Sequence, residues 1–469
     1  MPVESRLARV RRELWALIVL ALPIVIAQLA HTAMGFADTV MAGQVSPNDL
    51  AGVALGNSVW VPAYLLMIGI LMATTPCVAQ RFGANRQHEI GSVVRQALWL
   101  GFALGVFFAV LLWNARPLLD FLKIEPELAD LTMGYLQGVA YGFPFMGIYQ
   151  VLRYFSDGIG RTRPSMVIGL LGLSLNVPLN YVLIHGLFGL PQLGGVGCGW
   201  ATGIGNIFMC LSMVYWAHRG SAYKPSRWLE RFEWPSWASL KTLLVIGVPI
   251  GISIFAEASI FSVIALLIGE LGAIVVSGHQ ITLNFTSMIF MIPLSLGMAT
   301  TVRVSQALGA GRPRDARFIA GLSIGASIAY ACCSATFLLL MRYQIAGMYS
   351  PNPEVIQLAA HLFLYAAIFQ FSDVIQVSAA GSLRGYQDTR MPMLYTVFAY
   401  WGIGLPVGYI LGLTDWVFPA SGPSGLWQGL IAGLSVSACL LTVRLARSAR
   451  REIRHPRLSL VNEQHAAHS

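Results

Sequence analysis

Three acidic residues lie inside long apolar stretches of the chain. Asp38, Glu257 and Asp373 interrupt runs of mainly hydrophobic neighbours, and Glu257 lies in the middle of 243–268. A charged side chain at the centre of a membrane-spanning helix costs roughly 2.5–3.5 kcal/mol on insertion scales, so such residues usually line a cavity or pair with a partner. Since no Lys or Arg lies near the middle of such a stretch, a structural salt bridge is not expected.

A carboxyl group at membrane depth can bind either of two ions, a proton or Na⁺. Loss of water disfavours its charged form and promotes proton uptake, whereas the ionised form binds Na⁺ through the oxygen ligands that hard cations prefer. An organic cation would compete with either ion for the same negative charge. Such mutually exclusive occupancy is the minimal chemistry of an antiporter. The structural alternative, for any one of the three residues, is a protonated carboxyl satisfied by hydrogen bonds inside the helix bundle.

Polar side chains accompany the acids in each half of the chain. Asn176 and Asn180 are four residues apart, so they share one face of a helix, and Thr202 is a candidate to face them. In the second half, Gln280 and Asn284 follow at the same spacing. Either these side chains extend the ion and substrate sites, or they form the interhelical hydrogen bonds that are common in membrane bundles.

A membrane-embedded scaffold has to position these residues. The chain has 469 residues, of which 56% are hydrophobic and 11% charged, against roughly 25% charged in soluble domains. About 20 apolar residues cross a bilayer as one helix. The sequence therefore predicts an all-α membrane protein with twelve spans, at 14–40, 50–75, 96–115, 131–152, 165–186, 196–217, 242–268, 278–301, 318–341, 359–382, 393–413 and 425–443.

The basic residues lie almost entirely on one side of this arrangement. Twenty-seven of the 30 Lys and Arg residues fall before the first span, in alternate connections and in the tail, and three fall in the other connections. The positive-inside rule then places both termini of this multi-pass protein in the cytoplasm; the family resemblance described below implies the bacterial inner membrane. The net charge of +9 thus reflects topology, and no nucleic-acid partner is expected.

The chain contains an internal repeat. ATTPCVAQRFGANR at 73–86 recurs as ATTVRVSQALGAGR at 299–312, an offset of 226 that also pairs His31 with Glu257. His31 is either a proton relay or a packing histidine. Each half holds six spans, an even number, so both insert in the same orientation, as in transporters built from parallel repeats. Two lobes with a cleft between them, suited to alternating access, are the expected architecture.

The predicted domains follow from this repeat. They are an N-lobe at 1–217 with helices 1–6, a cytoplasmic linker at 218–241, and a C-lobe at 242–469 with helices 7–12 and a basic tail. The linker is amphipathic and rich in Trp, which is typical of a segment at the membrane–water interface.

Signatures of soluble enzymes are absent from the sequence. It holds no Walker A, HExxH or GxSxG motif, so we expect neither an enzyme nor a cofactor other than the coupling ion, Na⁺ or H⁺. The expected partners are small cationic organic substrates and the lipid bilayer, and no obligatory protein partner is evident.

Several segments together resemble one transporter family. QLAHTAMGFADTVMAG at 28–43, the repeated ATTxxVxQxxGAxR, FAEASIFS around Glu257 and FSDVIQVSAAGSLRGYQDTR at 371–390 are similar to the multidrug and toxic compound extrusion (MATE) family, NorM-like bacterial branch. The resemblance covers essentially the whole chain. It implies twelve helices in two six-helix lobes and export of organic cations, such as dyes and fluoroquinolones, against inward flow of Na⁺ or H⁺.

The resemblance also implies roles for single residues. Asp38 matches the family's acidic residue of the first helix, and Glu257 and Asp373 match those of helices 7 and 10, where Na⁺ is a candidate ligand. Asn176, Asn180 and Thr202 fit the polar network around Asp38.

Two alternatives to an antiporter remain open at this point. A flippase for lipid-linked precursors, of related architecture, would need Arg or Lys in its cavity for an anionic pyrophosphate. A membrane scaffold without transport would have no use for costly charges inside the membrane.

Overall fold

The computed structural model describes residues 6–269, 271–416 and 419–455, and all regular structure in these ranges is helical. A π-helical segment, Phe398–Gly404, separates two of the α-helices. The helices are α1 (Arg6–Val45), α2 (Pro47–Leu71), α3 (Thr74–Gly83), α4 (Gln87–Trp113), α5 (Arg116–Phe121), α6 (Pro126–Gly158), α7 (Arg163–His185), α8 (Val196–Arg219), α9 (Trp237–Gly269), α10 (Ala273–Gly309), α11 (Pro313–Tyr349), α12 (Pro353–Gly385), α13 (Arg390–Val397), α14 (Leu405–Leu413) and α15 (Pro423–Arg454).

Each of the twelve predicted spans falls on one of these helices or on a consecutive pair. Among the described residues, eleven helical segments are long and apolar enough to cross a membrane, counting α2 with α3 and α13 with α14 as one segment each. The twelfth predicted span, 131–152, is α6. This helix has 33 residues and is buried along most of its length. Because α6 is surrounded by protein, small and polar residues replace apolar ones, and its hydropathy falls below that of the other spans.

The chain forms an all-α membrane protein with two compact units, of which one is continuous in sequence and the other combines two separate parts. The N unit comprises Leu22–Gly251, and the C unit comprises Met1–Ala21 with Ile252–Ser469. The first segment of α1 therefore belongs to the C unit and the first segment of α9 to the N unit. The predicted limits at 217 and 242 followed chain order and stay a prediction. The end of the predicted basic tail, 456–469, lies outside the described residues.

The repeated sequence motif makes the same contacts in both units. In the N unit, the Thr75 hydroxyl donates to the Tyr154 carbonyl at 3.5 Å. In the C unit, the Thr301 hydroxyl donates to the Gly381 carbonyl at 2.7 Å. The equivalent glycines Gly158 and Gly385 lie so close to Val78 and Val304 that an added Cβ would be 2.8 Å from a valine methyl in each case. The repeat is therefore a packing device that joins α3 to α6 and α10 to α12.

The predicted linker is held against the N unit by its own polar groups. Arg95 of α4 donates from Nη1 to the Arg227 carbonyl at 2.9 Å and forms a short ion pair with Glu233. The Trp99 indole donates to the Glu233 carbonyl at 2.9 Å and stacks on Trp234 with ring centroids 6.4 Å apart. These contacts fix the segment between α8 and α9 on the surface of α4.

Candidate functional site

Asp38 lies at the centre of a buried polar cluster in the N unit. It is 3% exposed, and Asn176 and Asn180 are 1% and 0% exposed. Asp38 Oδ1 accepts a hydrogen bond from Asn180 Nδ2 at 2.6 Å, and Oδ2 accepts one from the Thr202 hydroxyl at 2.8 Å. Asn180 Nδ2 also donates to Asn176 Oδ1 at 3.2 Å. Four side chains that the sequence singled out thus meet at one point, contributed by α1, α7 and α8.

One acceptor in this cluster has no partner. Asn180 Oδ1 is buried and forms no hydrogen bond with any described residue. Buried amide oxygens are normally satisfied, and oxygen atoms of amides and carboxylates are the ligands that hard cations use. The oxygen set of Asp38, Asn176 and Asn180 therefore suits a small cation or an added proton donor.

A second polar group lies beside this cluster and was not predicted. The Trp60 indole and the Tyr135 hydroxyl both donate to Asn57 Oδ1, at 2.8 and 2.9 Å. Tyr135 is buried and within electrostatic reach of Asp38. An Asn, a Trp and a Tyr scattered over two helices carry no periodic signal, so only the tertiary structure relates them to Asp38.

Glu257 and Asp373 lie within electrostatic reach of each other in the C unit. Asp373 is 5% exposed and Glu257 is half-buried. The Glu257 carboxyl shares hydrogen bonds with the side chains of Tyr400 and Gln376. The Tyr400 hydroxyl in turn donates to Gln376 Oε1 at 2.9 Å. Helices α9 and α12 therefore bring the two predicted carboxylates together, with an amide and a phenol around them.

The π-helical segment positions part of this second cluster. Tyr400 and Trp401 lie within Phe398–Gly404. While Tyr400 reaches Glu257, the Trp401 indole donates to the carbonyl of Ala256 at 3.2 Å. A π-helical turn shifts the register of the residues that follow it and is frequent at functional sites. The apolar sequence FAYWGIG gives no sign of it.

Two predicted polar residues stand apart from the carboxylates. Gln280 and Asn284 are exposed on α10, and in the described ranges neither hydrogen-bonds with Glu257 or Asp373. His31 is half-buried, and its ring lies 5.4 Å from that of Tyr64. The structure thus assembles the N-unit network around Asp38 but does not join α10 to the acidic pair.

Two charged residues that the predicted spans leave in a connection lie inside a helix instead. Arg153 and Asp157, which fall just beyond the predicted span 131–152, are 5% and 2% exposed near the end of α6. Their Nε and Oδ2 atoms are 3.9 Å apart, and Arg153 donates to Gln28 Oε1 at 2.8 Å. A second cation, Arg384, acts electrostatically on Glu257. Arg153 and Asp157 lie in the interior of the protein because α6, with 33 residues, is longer than the roughly 20 residues that cross a bilayer.

The chain is similar to known proteins along almost its whole length. The family model described as MatE matches residues 23–182 and 249–410. Multidrug resistance protein PmpM of Pseudomonas aeruginosa is 59% identical over 456 residues, which is 97% of this chain and 96% of that protein. Multidrug resistance protein MdtK of Yersinia enterocolitica is 46% identical over 431 residues, covering 92% of this chain and 94% of that protein.

Solved structures show the same fold at low sequence identity. The eukaryotic MATE transporter AtDTX14 superposes with a TM-score of 0.83 at 19% identity, over 94% of this chain and 98% of that chain. A MATE structure in the bent conformation gives a TM-score of 0.84 at 20% identity, over 93% and 96% of the two chains.

Proposed function

Because this chain belongs to the MatE family, we propose that it exports cationic organic compounds and drugs in exchange for Na⁺ or H⁺. Relatives named multidrug resistance proteins cover more than nine-tenths of it. We place it in the bacterial inner membrane with both termini in the cytoplasm, as the distribution of Lys and Arg indicates. Transport occurs by alternating access, in which the binding carboxylates face first one side of the membrane and then the other.

One observation carries the proposal for ion coupling. Glu257 and Asp373 lie within electrostatic reach of each other, and Gln376 and Tyr400 beside Glu257 supply further oxygen atoms. Two carboxylates within electrostatic reach repel each other when both are ionised, and this repulsion favours uptake of a cation or a proton. Na⁺ would find carboxylate, amide and phenol oxygens here, which are ligands of the hard type. The pair is therefore our leading site for the coupling ion.

Asp38 is a second anionic site in this proposal. Its two oxygens already accept hydrogen bonds from Asn180 and Thr202, which favour the ionised form. An organic cation bound near an ionised Asp38 would lose its counter-charge when a proton or Na⁺ arrived. Ion entry on the outer side would thereby release the drug, and the neutralised carboxyl would lower the cost of the return step.

The experiment is transport of a fluorescent organic cation in proteoliposomes, with Na⁺ and pH gradients imposed separately. We expect one gradient to drive transport by the unmodified protein. Glu257→Gln and Asp373→Asn should each reduce gradient-driven transport at least tenfold, since each removes a charge from the pair. Glu354→Gln is the matched control, because Glu354 is an exposed acid in the first turn of the same helix as Asp373.

The outcomes separate the alternatives. Transport driven by Na⁺ alone makes the carboxylates metal ligands, and transport driven only by a pH gradient makes them titrating groups. Full gradient-driven transport by both Glu257→Gln and Asp373→Asn would contradict the proposed coupling mechanism. Transport driven by neither gradient would remove the antiporter proposal.

A further inference from the structure

A groove lies on the surface of the N unit where the linker crosses α4. Its volume is about 440 Å³, within the roughly 300–1,000 Å³ of small-molecule sites. We call it the interfacial groove and define it by its lining residues from α4, α6, α8 and the linker. The apolar members that matter below are Leu98, Phe102, Ile148, Val214 and Leu229, and the charged members are Arg95, Arg231 and Glu233.

The groove lies at one end of its helices. Arg95 and Leu98 belong to the first half of α4, and Ile148 and Val214 to the last thirds of α6 and α8. The charge distribution predicts that these ends face the cytoplasm. Trp99, Trp228 and Trp234 surround the same region, and Trp is enriched at membrane–water interfaces. The groove is therefore at the level of the lipid head groups.

The apolar side chains that line the interfacial groove are continuous with the apolar surface of α4 that faces the bilayer. Phe102 is 44% exposed, and further along α4 Val106, Phe107 and Val110 are 37%, 60% and 58% exposed. These side chains form an uninterrupted exposed apolar strip on a membrane-spanning helix. A hydrocarbon chain in the groove would thus extend directly along the lipid-facing side of α4.

The charged rim leaves one cation available. Arg95 and Glu233 neutralise each other through their ion pair. Arg231 is exposed and forms no ion pair within 4 Å with a residue in the described ranges, whereas Arg227 pairs with Glu230 at 3.6 Å. Arg231 also lies within electrostatic reach of Glu233, so the rim of Arg95, Arg231 and Glu233 has a net charge of +1. An anionic head group is the complement of such a rim, because the cytoplasmic leaflet carries the anionic lipids and basic residues at its surface attract them.

We propose that the interfacial groove binds one anionic phospholipid of the cytoplasmic leaflet. An acyl chain lies over Leu98, Phe102 and Val214, and the phosphate lies at Arg231. The Arg95–Glu233 pair holds the linker in the position that closes one side of the groove. This site is separate from the transport carboxylates and does not depend on the proposed function.

The test is native mass spectrometry of the purified full-length chain, delipidated in detergent and titrated with dioleoylphosphatidylglycerol or dioleoylphosphatidylcholine. We expect one tightly bound phosphatidylglycerol and weaker phosphatidylcholine binding. Arg231→Gln should weaken phosphatidylglycerol binding roughly fivefold, the effect of one basic residue at an anionic surface. Lys241→Gln removes an equally exposed charge outside the groove and should leave the affinity unchanged.

A second pair of variants tests the acyl-chain part. Val214→Phe enlarges a groove residue, whereas Leu211→Phe enlarges a residue of the same helix that is 60% exposed and outside the groove. Only the first should reduce lipid binding. Equal affinity for the two lipids, equal effects of Arg231→Gln and Lys241→Gln, or displacement of the lipid by millimolar inorganic phosphate would overturn the proposal, the last because it indicates an anion site without a chain.

Discussion

At the scale of single residues, the two acidic clusters differ in how they are satisfied. Asp38 accepts two hydrogen bonds from neutral donors, at 2.6 and 2.8 Å. Glu257 instead hydrogen-bonds with Tyr400 and Gln376 and has a second carboxylate, Asp373, within electrostatic reach. Hydrogen-bond donors stabilise an anion, whereas a like charge destabilises it. We therefore expect the pair in the C unit to respond to ions more strongly than the single acid in the N unit.

Tyr400→Phe tests the phenol's contribution to that pair. The substitution removes the hydroxyl that donates to Gln376 at 2.9 Å and reaches Glu257. Loss of one hydrogen bond of about 1 kcal/mol should raise the coupling-ion concentration for half-maximal transport about fivefold. Tyr409→Phe is the control, since Tyr409 follows in α14 and is 45% exposed. An unchanged ion dependence in Tyr400→Phe would show that the hydroxyl has no part in coupling.

The sequence could predict part of these clusters for a simple reason. Asn176 and Asn180 share one helix, so their common face follows from helical periodicity, and Asp38 is conspicuous because charge inside a membrane is expensive. Tyr400 and Gln376 lie on different helices, and their meeting depends on the π-helical register of Phe398–Gly404. No local pattern encodes that register, so these two residues were missed. The functional roles of all these residues stay predictions.

At the scale of helices, close packing in the N unit depends on glycine. In α8, Gly199 lies against the backbone of α6, where an added Cβ would overlap the carbonyl oxygen of Tyr135. A Cβ added to Gly205 of the same helix would meet no other atom within 4 Å. Small residues let membrane helices approach closely, and van der Waals packing is a main source of their association.

Gly199→Ala should therefore destabilise the protein while Gly205→Ala should not. Forcing a methyl group into a packed backbone contact costs about 1–3 kcal/mol, whereas alanine in open space favours a helix by up to about 1 kcal/mol. Thermal unfolding of the two variants in detergent measures the difference. Equal melting temperatures would contradict the close approach of α6 and α8.

The linker gives a prediction about pH at the same scale. The hydrogen bond from Arg95 holds the pKa of Glu233 below its ordinary value. A lowered folded-state pKa means that the stabilisation is present above the ordinary value and is lost as the pH falls through the folded value. Hydrogen exchange of residues 228–236 should therefore accelerate only at acid pH, below the usual titration range of a glutamate.

Glu233→Gln should accelerate that exchange at neutral pH as well, because the ion pair is absent at every pH. Glu230→Gln serves as the control, since this side chain is 58% exposed and pairs with Arg227 instead. If Glu233→Gln kept the acid-dependent step, the Arg95–Glu233 pair would not be what holds the linker.

At the scale of the whole molecule, the twelve predicted crossings and the basic asymmetry predict one topology. All twelve crossings were predicted from apolar runs, and the alternation of basic connections supports that number. In the described residues eleven helical segments are long and apolar enough to cross a membrane, and α6 is not among them. Its own residues are mostly buried against other helices. The sequence could thus supply the number of helices, but it could not show that the first segments of α1 and α9 pack in opposite units, since this depends on long-range contacts.

Cysteine labelling in cells checks the topology. Phe188, 91% exposed after α7, is predicted outside, and His88, whose side chain is 67% exposed, is predicted inside. A membrane-impermeant maleimide should label Phe188→Cys in intact cells and His88→Cys only after permeabilisation. The reverse pattern would invert the assigned orientation.

The matched contacts of Thr75 and Thr301 have an evolutionary consequence. The packing residues survive in both halves, but the acids do not: at the same offset Asp38 corresponds to Ile264 and Glu257 to His31. Duplication thus preserved a scaffold while chemistry diverged on it. In a deep mutational scan, tolerance at the threonines and their glycine neighbours should be equal in the two halves, whereas tolerance at the acidic positions should be low in one half only.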